Sequence, residues 1–443
     1  MKNLITTIQN IWRIEELRKR ILITLGLLLV YRIGSFVVLP GVDSARLASG
    51  TSGGTGLVDL LSIFTGGAFT RASIFALGVM PYISASIIMQ LAGIAVPTVQ
   101  KMQREESGRR RINQFTRYIT ILICIFQAPG YIYTYVDEAA RGTGALWMPT
   151  SVVILTASTL FVMWIGERIT ERGLGNGVSL IIMVGILARL PESFLQEFIS
   201  RTTGSGGLVV ILLEVVIWLL IIAGNILLVQ GTRRIPVQFA KRVQGNKQFG
   251  GVRNYIPLKV NAAGVMPIIF AQAIVLIPMY IAQAPWWNGE PPQWMLNFSR
   301  YESVGYNLTL FLMVVAFTYF YTAITVNPNQ LADDMKRNGG FVPGVKPGKQ
   351  TAGYIDDLLS RITLPGAIFL GLVAILPAFA IAAGVKQGFA QFFGGTSLLI
   401  MVGVLLDTLQ QIESHLLMRH YDGLMKSGRI KGRTSAAYSM ATG

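Results

Sequence analysis

The sequence reads as an all-α polytopic membrane protein, with ten transmembrane helices in two inverted five-helix halves around a central pore. Three features lead there. The 443 residues are 52% apolar and only 14% charged, whereas a soluble domain is about 25% charged. The apolar residues collect into ten runs nearly free of charge. Two pairs of these runs repeat one another five runs apart. Together with a mean hydropathy of +0.53, the composition excludes a cytosolic enzyme, a disordered chain and a collagen-like one.

About 20 apolar residues are needed to cross the hydrocarbon core as a helix. The candidate spans cover 21–39, 72–94, 118–135, 147–166, 174–190, 208–229, 262–283, 307–326, 362–385 and 389–407. The fifth has the weakest signal, because Gly173, Gly175 and Gly177 crowd its start. The first follows Arg18, Lys19 and Arg20 but ends in Leu39-Pro40-Gly41, without a small-x-small site, so it is expected to remain a span.

An even number of spans puts both termini on one side. With that side in the cytoplasm, 30 of the 38 Lys and Arg lie inside, as the positive-inside rule requires. The net charge of +16 is then explained by basic loops at the membrane rather than by nucleic acid. The expected organisation is a cytoplasmic segment 1–20, a first half 21–190, an external linker 191–207, a second half 208–410 and a cytoplasmic tail 411–443.

Span 2 carries Ala76-Leu77-Gly78-Val79-Met80-Pro81-Tyr82-Ile83-Ser84-Ala85, and span 7 carries Ala262-Ala263-Gly264-Val265-Met266-Pro267-Ile268-Ile269-Phe270-Ala271. Val178 to Leu187 in span 5 is answered by Thr396 to Leu405 in span 10. Each pair shares seven of ten positions. A displacement of five spans reverses the crossing direction, so the repeat is inverted, and such proteins place their working site at the repeat interface. Pro81 and Pro267 each follow a glycine by three residues, and both helices are expected to kink in mid-membrane.

The matched spans hold no ionisable residue at their centres, which argues against a proton- or sodium-coupled carrier. Glu214 in span 6 is the exception, and with no cation near it in sequence it is expected to be hydrogen-bonded or to reach the interface. Ile83 matches Ile269, Val79 matches Val265, and Ile182 matches Ile400. Aliphatic side chains at one level form either an ordinary bundle core or a constriction that excludes water and ions by dewetting. A short apolar run near 57–65, flanked by glycines, is too short to cross; it is either an interfacial helix or a movable stopper.

Two inner loops, 230–260 and 327–361, are long for a compact membrane protein. The first holds Arg233, Arg234, Lys241, Arg242, Lys247, Arg253 and Lys259 with no acid, which suits anionic lipids, RNA phosphates or an acidic protein.

Arg71 to Ser86 resembles the second-helix signature of the SecY/Sec61-alpha family of protein-conducting channels. Gly173-Leu174-Gly175-Asn176-Gly177, Phe341-Val342-Pro343-Gly344 and Phe393-Gly394-Gly395-Thr396-Ser397 resemble further signatures of that family. The resemblance implies a pore ring of Val79, Ile83, Ile182, Ile269 and Ile400, bordered by Val178 and Met266. It implies a plug at 57–70 with Leu57, Leu60, Leu61, Phe64, Gly66 and Gly67, and a lateral gate that includes Ser84, Gln90 and Ile277. The loops bearing Arg233, Arg234, Lys241, Arg242 and Lys346 would dock partners. Lys346 stands where the family usually has Arg, keeping the charge without the bidentate fork.

The implied function is passage of unfolded secretory polypeptides across a bacterial inner membrane, with sideways release of hydrophobic segments. The implied partners are the small membrane subunits SecE and SecG, the SecA motor ATPase, the ribosome, signal-sequence-bearing polypeptides and anionic lipids. The alternative is a secondary transporter of the same inverted design, which would need a polar midplane site. No catalytic residue, metal or cofactor is expected. Cys124 stands alone, His415 and His420 lie beyond span 10, and no P-loop pattern is present.

Overall fold

The computed structural model describes residues 12, 14–43, 62, 64–136, 140–142, 144, 146–203, 207–239, 242–244, 247–249, 253–275, 292 and 303–426. Its helices are α1 (Glu15–Gly34), α2 (Met80–Ala95), α3 (Pro97–Arg104), α4 (Glu106–Tyr135), α5 (Trp147–Arg172), α6 (Gly177–Thr203) and α7 (Gly207–Gln230). After four strands, β1 (Thr232–Phe239), β2 (Arg242–Gln244), β3 (Lys247–Phe249) and β4 (Arg253–Lys259), come α8 (Met266–Val275), α9 (Val304–Thr325) and α10 (Pro328–Arg337). The chain continues through β5 (Gly340–Phe341), α11 (Lys349–Ala382), α12 (Gln387–Ala390) and α13 (Gly395–Lys426).

The protein is mainly helical, and each of the ten expected spans has its helix. Among the described residues, seven helices are long and apolar enough to cross a membrane by length and composition. The other three spans correspond to α1, to α2, which ends at a sharp bend before α3, and to α8, which is described through Val275. The weak fifth span is a 27-residue helix.

Several boundaries differ from expectation. Span 2 begins only at Met80, because residues 65–79 form consecutive turns. Positive φ at Ala72 (46°) and Gly78 (54°) is incompatible with a continuous right-handed helix there. α6 runs through Pro191 to Thr203, where a linker was expected; the Glu197–Arg201 pair, at 2.8 Å and one turn apart, supports this extension. α13 starts at Gly395 rather than 389 and continues to Lys426.

Two compact units emerge. The first comprises 1–48, 71–184 and 404–443. In it α1 packs on α5, α4 packs on α2 and α5, and segment 37–39 bridges to 72–74. The second comprises 49–70 and 185–403. Its membrane core joins Ile268, Ala271 and Val275 of α8 with Leu310 and Val314 of α9, Leu370 and Val373 of α11 and Leu399 of α13.

The second unit also contains a sheet that the helical reading did not anticipate. β1 lies between β4 and β5, antiparallel to both, so the two long loops 230–260 and 327–361 share one structure. Ile235, Val237 and Leu258 pack with Met335, Val342, Ile355 and Leu359 in a core of their own.

Candidate functional site

The two repeat-matched turns have the same local construction. Gly78 has φ 54° and Gly264 has φ 65°, the left-handed region that glycine enters at little cost. Three residues later, Pro81 and Pro267 each occupy the second position of a new helix, where a missing N–H is no loss. The helices therefore begin at the prolines instead of kinking around them. Ile83 N donates to Val79 O at 3.0 Å, and Ile269 N donates to Val265 O at 3.4 Å. In each turn the first helical hydrogen bond thus links the matched valine to the matched isoleucine.

The other matched pair agrees. α6 and α13 begin at Gly177 and Gly395, which are equivalent positions of the repeat. Within the first unit Val79 and Ile182 are buried, while Ile83, Ser84, Gln90 and Val178 are half-buried. The Ser84 hydroxyl donates to Met80 O at 3.2 Å. Gln90 Nε2 donates to Ser86 Oγ at 3.5 Å. Within the second unit Ile400 is buried, and Met266 and Ile269 are half-buried. Ile277 lies outside the described residues.

The Gly173–Gly177 signature acts as a staple within the first unit. Leu174 N donates to Thr24 Oγ1 of α1 at 3.0 Å, and Gly175 N donates to Gln411 Oε1 of α13 at 2.8 Å. Asn176 Oδ1 accepts from Ser179 N at 3.3 Å, capping α6. A side chain at Gly177 would collide with the carbonyl of Gly166 on α5.

The C-terminal part of the expected plug lies in the second unit, while Leu57, Leu60 and Leu61 lie outside the described residues. Phe64, Gly66 and Gly67 are buried, with φ 64° and 86° at the two glycines. Gly67 N donates to Ser62 O at 2.7 Å, closing the turn. Arg189 Nη1 of α6 donates to Ser62 Oγ at 2.6 Å, and a Cβ on Gly185 would stand 2.7 Å from Phe64 O. Ser62, Phe64 and Gly66 therefore lie directly against α6.

Arg233 and Arg234 are exposed on β1. Lys346 is exposed after a turn with Gly344 at φ 85°, and its carbonyl accepts from Thr351 Oγ1 at 2.9 Å. Lys241 lies outside the described residues, and Arg242 is placed by its backbone on β2. The shared sheet connects the Arg233–Arg234 strand to Phe341, the start of the Phe341-Val342-Pro343-Gly344 signature.

Sequence reasoning missed the partner of Glu214. Arg201 Nη2 donates to Glu214 Oε1 at 2.7 Å, and Arg201 Nε donates to Glu197 Oε1 at 2.8 Å. The same guanidinium donates to Gly384 O at 2.7 Å, while Lys386 N donates to Glu197 Oε2 at 2.8 Å. The cluster fastens the turn before α12 to α6 and α7. Among the described residues no group of three His, Cys, Asp or Glu could hold a metal ion.

The SecY family profile matches residues 73–409. The chain is 42% identical over 429 residues to protein translocase subunit SecY of Escherichia coli K12, covering 94% of this chain and 96% of that one. It is 40% identical over 440 residues to the subunit of that name from Streptomyces galbus, covering 96% and 100%. A solved protein-conducting channel matches the fold with a TM-score of 0.63 at 14% identity, over 94% of this chain and 95% of that one. Sec61 in a canine ribosome–channel complex from the endoplasmic reticulum matches at 0.60, also at 14% identity and with the same coverage. Continuous similarity of this extent, with the paired glycine–proline turns inside the matched region, leads to one conclusion: the chain belongs to the SecY family.

Proposed function

We propose that this chain is the protein-conducting channel subunit of a translocase, passing unfolded secretory polypeptides across the membrane and releasing hydrophobic segments sideways into it. The observation that carries the reading is the doubled turn, Gly78 to Ile83 and Gly264 to Ile269, in a chain of the SecY family. The halves are 21–190 and 208–410. Val79, Ile83, Ile182, Ile269 and Ile400 form a ring, bordered by Val178 and Met266, that seals by dewetting. Residues 57–70 are the plug, and Ser84, Gln90 and Ile277 belong to the lateral gate.

The chain itself performs no catalysis, so a partner supplies the energy. Arg233, Arg234, Lys241, Arg242 and Lys346 dock SecA or a ribosome; contact with the ribosome is supported by the Sec61 neighbour solved in a ribosome–channel complex. SecE and SecG complete the membrane assembly, both termini lie in the cytoplasm, and the location is the bacterial inner membrane. The apolar ring is tested by Ile83→Ser with Ile400→Ser in planar bilayers. Resting ion conductance rises about tenfold or more if dewetting provides the seal; unchanged conductance rejects the ring.

A further inference from the structure

Two guanidinium groups share one aromatic ring at the C-terminal end of α1. Arg32 Cζ lies 4.7 Å from the centroid of Phe36, and Arg71 Cζ lies 4.5 Å from it. Like charges are therefore held within about 9 Å of each other, each stabilised by the ring face. The backbone fixes this meeting. Leu39 N donates to Ala72 O and Ile74 N to Val37 O, both at 2.9 Å, locking the segment after Phe36 to the segment after Arg71. Ala72 holds φ 46° beside Arg71, strain that persists only where the surroundings over-determine it.

Arg71 is exposed and makes no ion pair among the described residues. Leu22, Leu25, Leu29, Ile33 and Phe36 are exposed along α1 and the turn after it. Their spacing of three and four residues places them on one apolar stripe that ends at the arginine pair.

We propose that Arg71 and Arg32 bind the phosphate of an anionic phospholipid whose acyl chains lie along this stripe. A guanidinium matches phosphate geometry through two parallel hydrogen bonds, and the second positive charge favours a head group of net negative charge over a zwitterionic one. The apolar stripe favours a lipid over free phosphate.

The test uses the full chain with its co-purifying membrane subunits in detergent, and native mass spectrometry counts the phosphatidylglycerol and phosphatidylcholine retained. The wild type retains phosphatidylglycerol preferentially, by about tenfold for one charge-assisted contact pair. Arg71→Gln lowers the preference several-fold, Arg71→Lys restores part of it, and Arg32→Gln with Arg71→Gln abolishes it. If the double variant does not fold, the exposed Arg71→Gln variant decides alone. Absence of preference in the wild type overturns the proposal, as does full preference in Arg71→Gln. Displacement of the lipid by millimolar glycerol phosphate overturns the lipid assignment in favour of a soluble phosphate ligand; resistance to it supports the lipid.

Discussion

The turns at Gly78 and Gly264 follow the same backbone path but sit in different surroundings. Gly78 is buried between Leu77 and Val79, which are both buried. Gly264 is half-buried beside half-buried Val265 and Met266, and no described residue comes within 4 Å of where a Cβ would project. Glycine and proline fix a local trace through their own dihedral limits, so the trace survives in both halves of the repeat. Burial depends on neighbours, and each unit supplies its own.

The helix starts at Gly177 and Gly395 show the same division and give the largest expected effect. Gly177→Ala drives a methyl into the backbone carbonyl of Gly166, so α5 and α6 must separate; a loss of about 3 kcal/mol is expected. Gly395→Ala meets Pro377 Cγ at 3.6 Å, ordinary contact, and bears mainly the cost of φ 66°, about 1 kcal/mol. Melting of the two variants in detergent checks the ranking, and equal losses would remove the packing half of the comparison.

Gly264→Ala isolates the torsional cost, about 1 kcal/mol, because among the described residues nothing lies within 4 Å of the new methyl. Gly78→Ala is expected to lose more, since its turn is buried on both sides. Equal melting shifts would show that burial adds nothing there. The smallest effect on stability belongs to the sheet. Arg233→Ala with Arg234→Ala removes two exposed side chains of β1, so stability changes by less than about 0.5 kcal/mol. Binding of SecA or ribosomes, followed by co-sedimentation, is expected to weaken severalfold and to become less sensitive to salt.

Charge-free runs were legible as helices because crossing a membrane demands length and apolarity at once. Features without that demand were less visible. The alternation of buried Ile235 and Val237 with exposed Arg234 and Pro236 signals a strand of period two, but it sits inside a run read for its charge. The extension of α13 to Lys426 leaves the apolar run and carries no hydropathy signal. Arg201 and Glu214 are thirteen residues apart on different helices, a pairing that only tertiary structure creates. Gly78 and Pro81 were legible as a break, but sequence did not distinguish a kinked helix from a helix that starts there.

The most direct measurement places a photo-crosslinking residue at Ile83, at Ile269 or at exposed Leu213 of α7 and stalls a signal-bearing polypeptide in transit. Capture at both Ile83 and Ile269 with none at Leu213 is the predicted result. Capture at neither isoleucine, while the stalled chain is retained by the complex, would contradict the account.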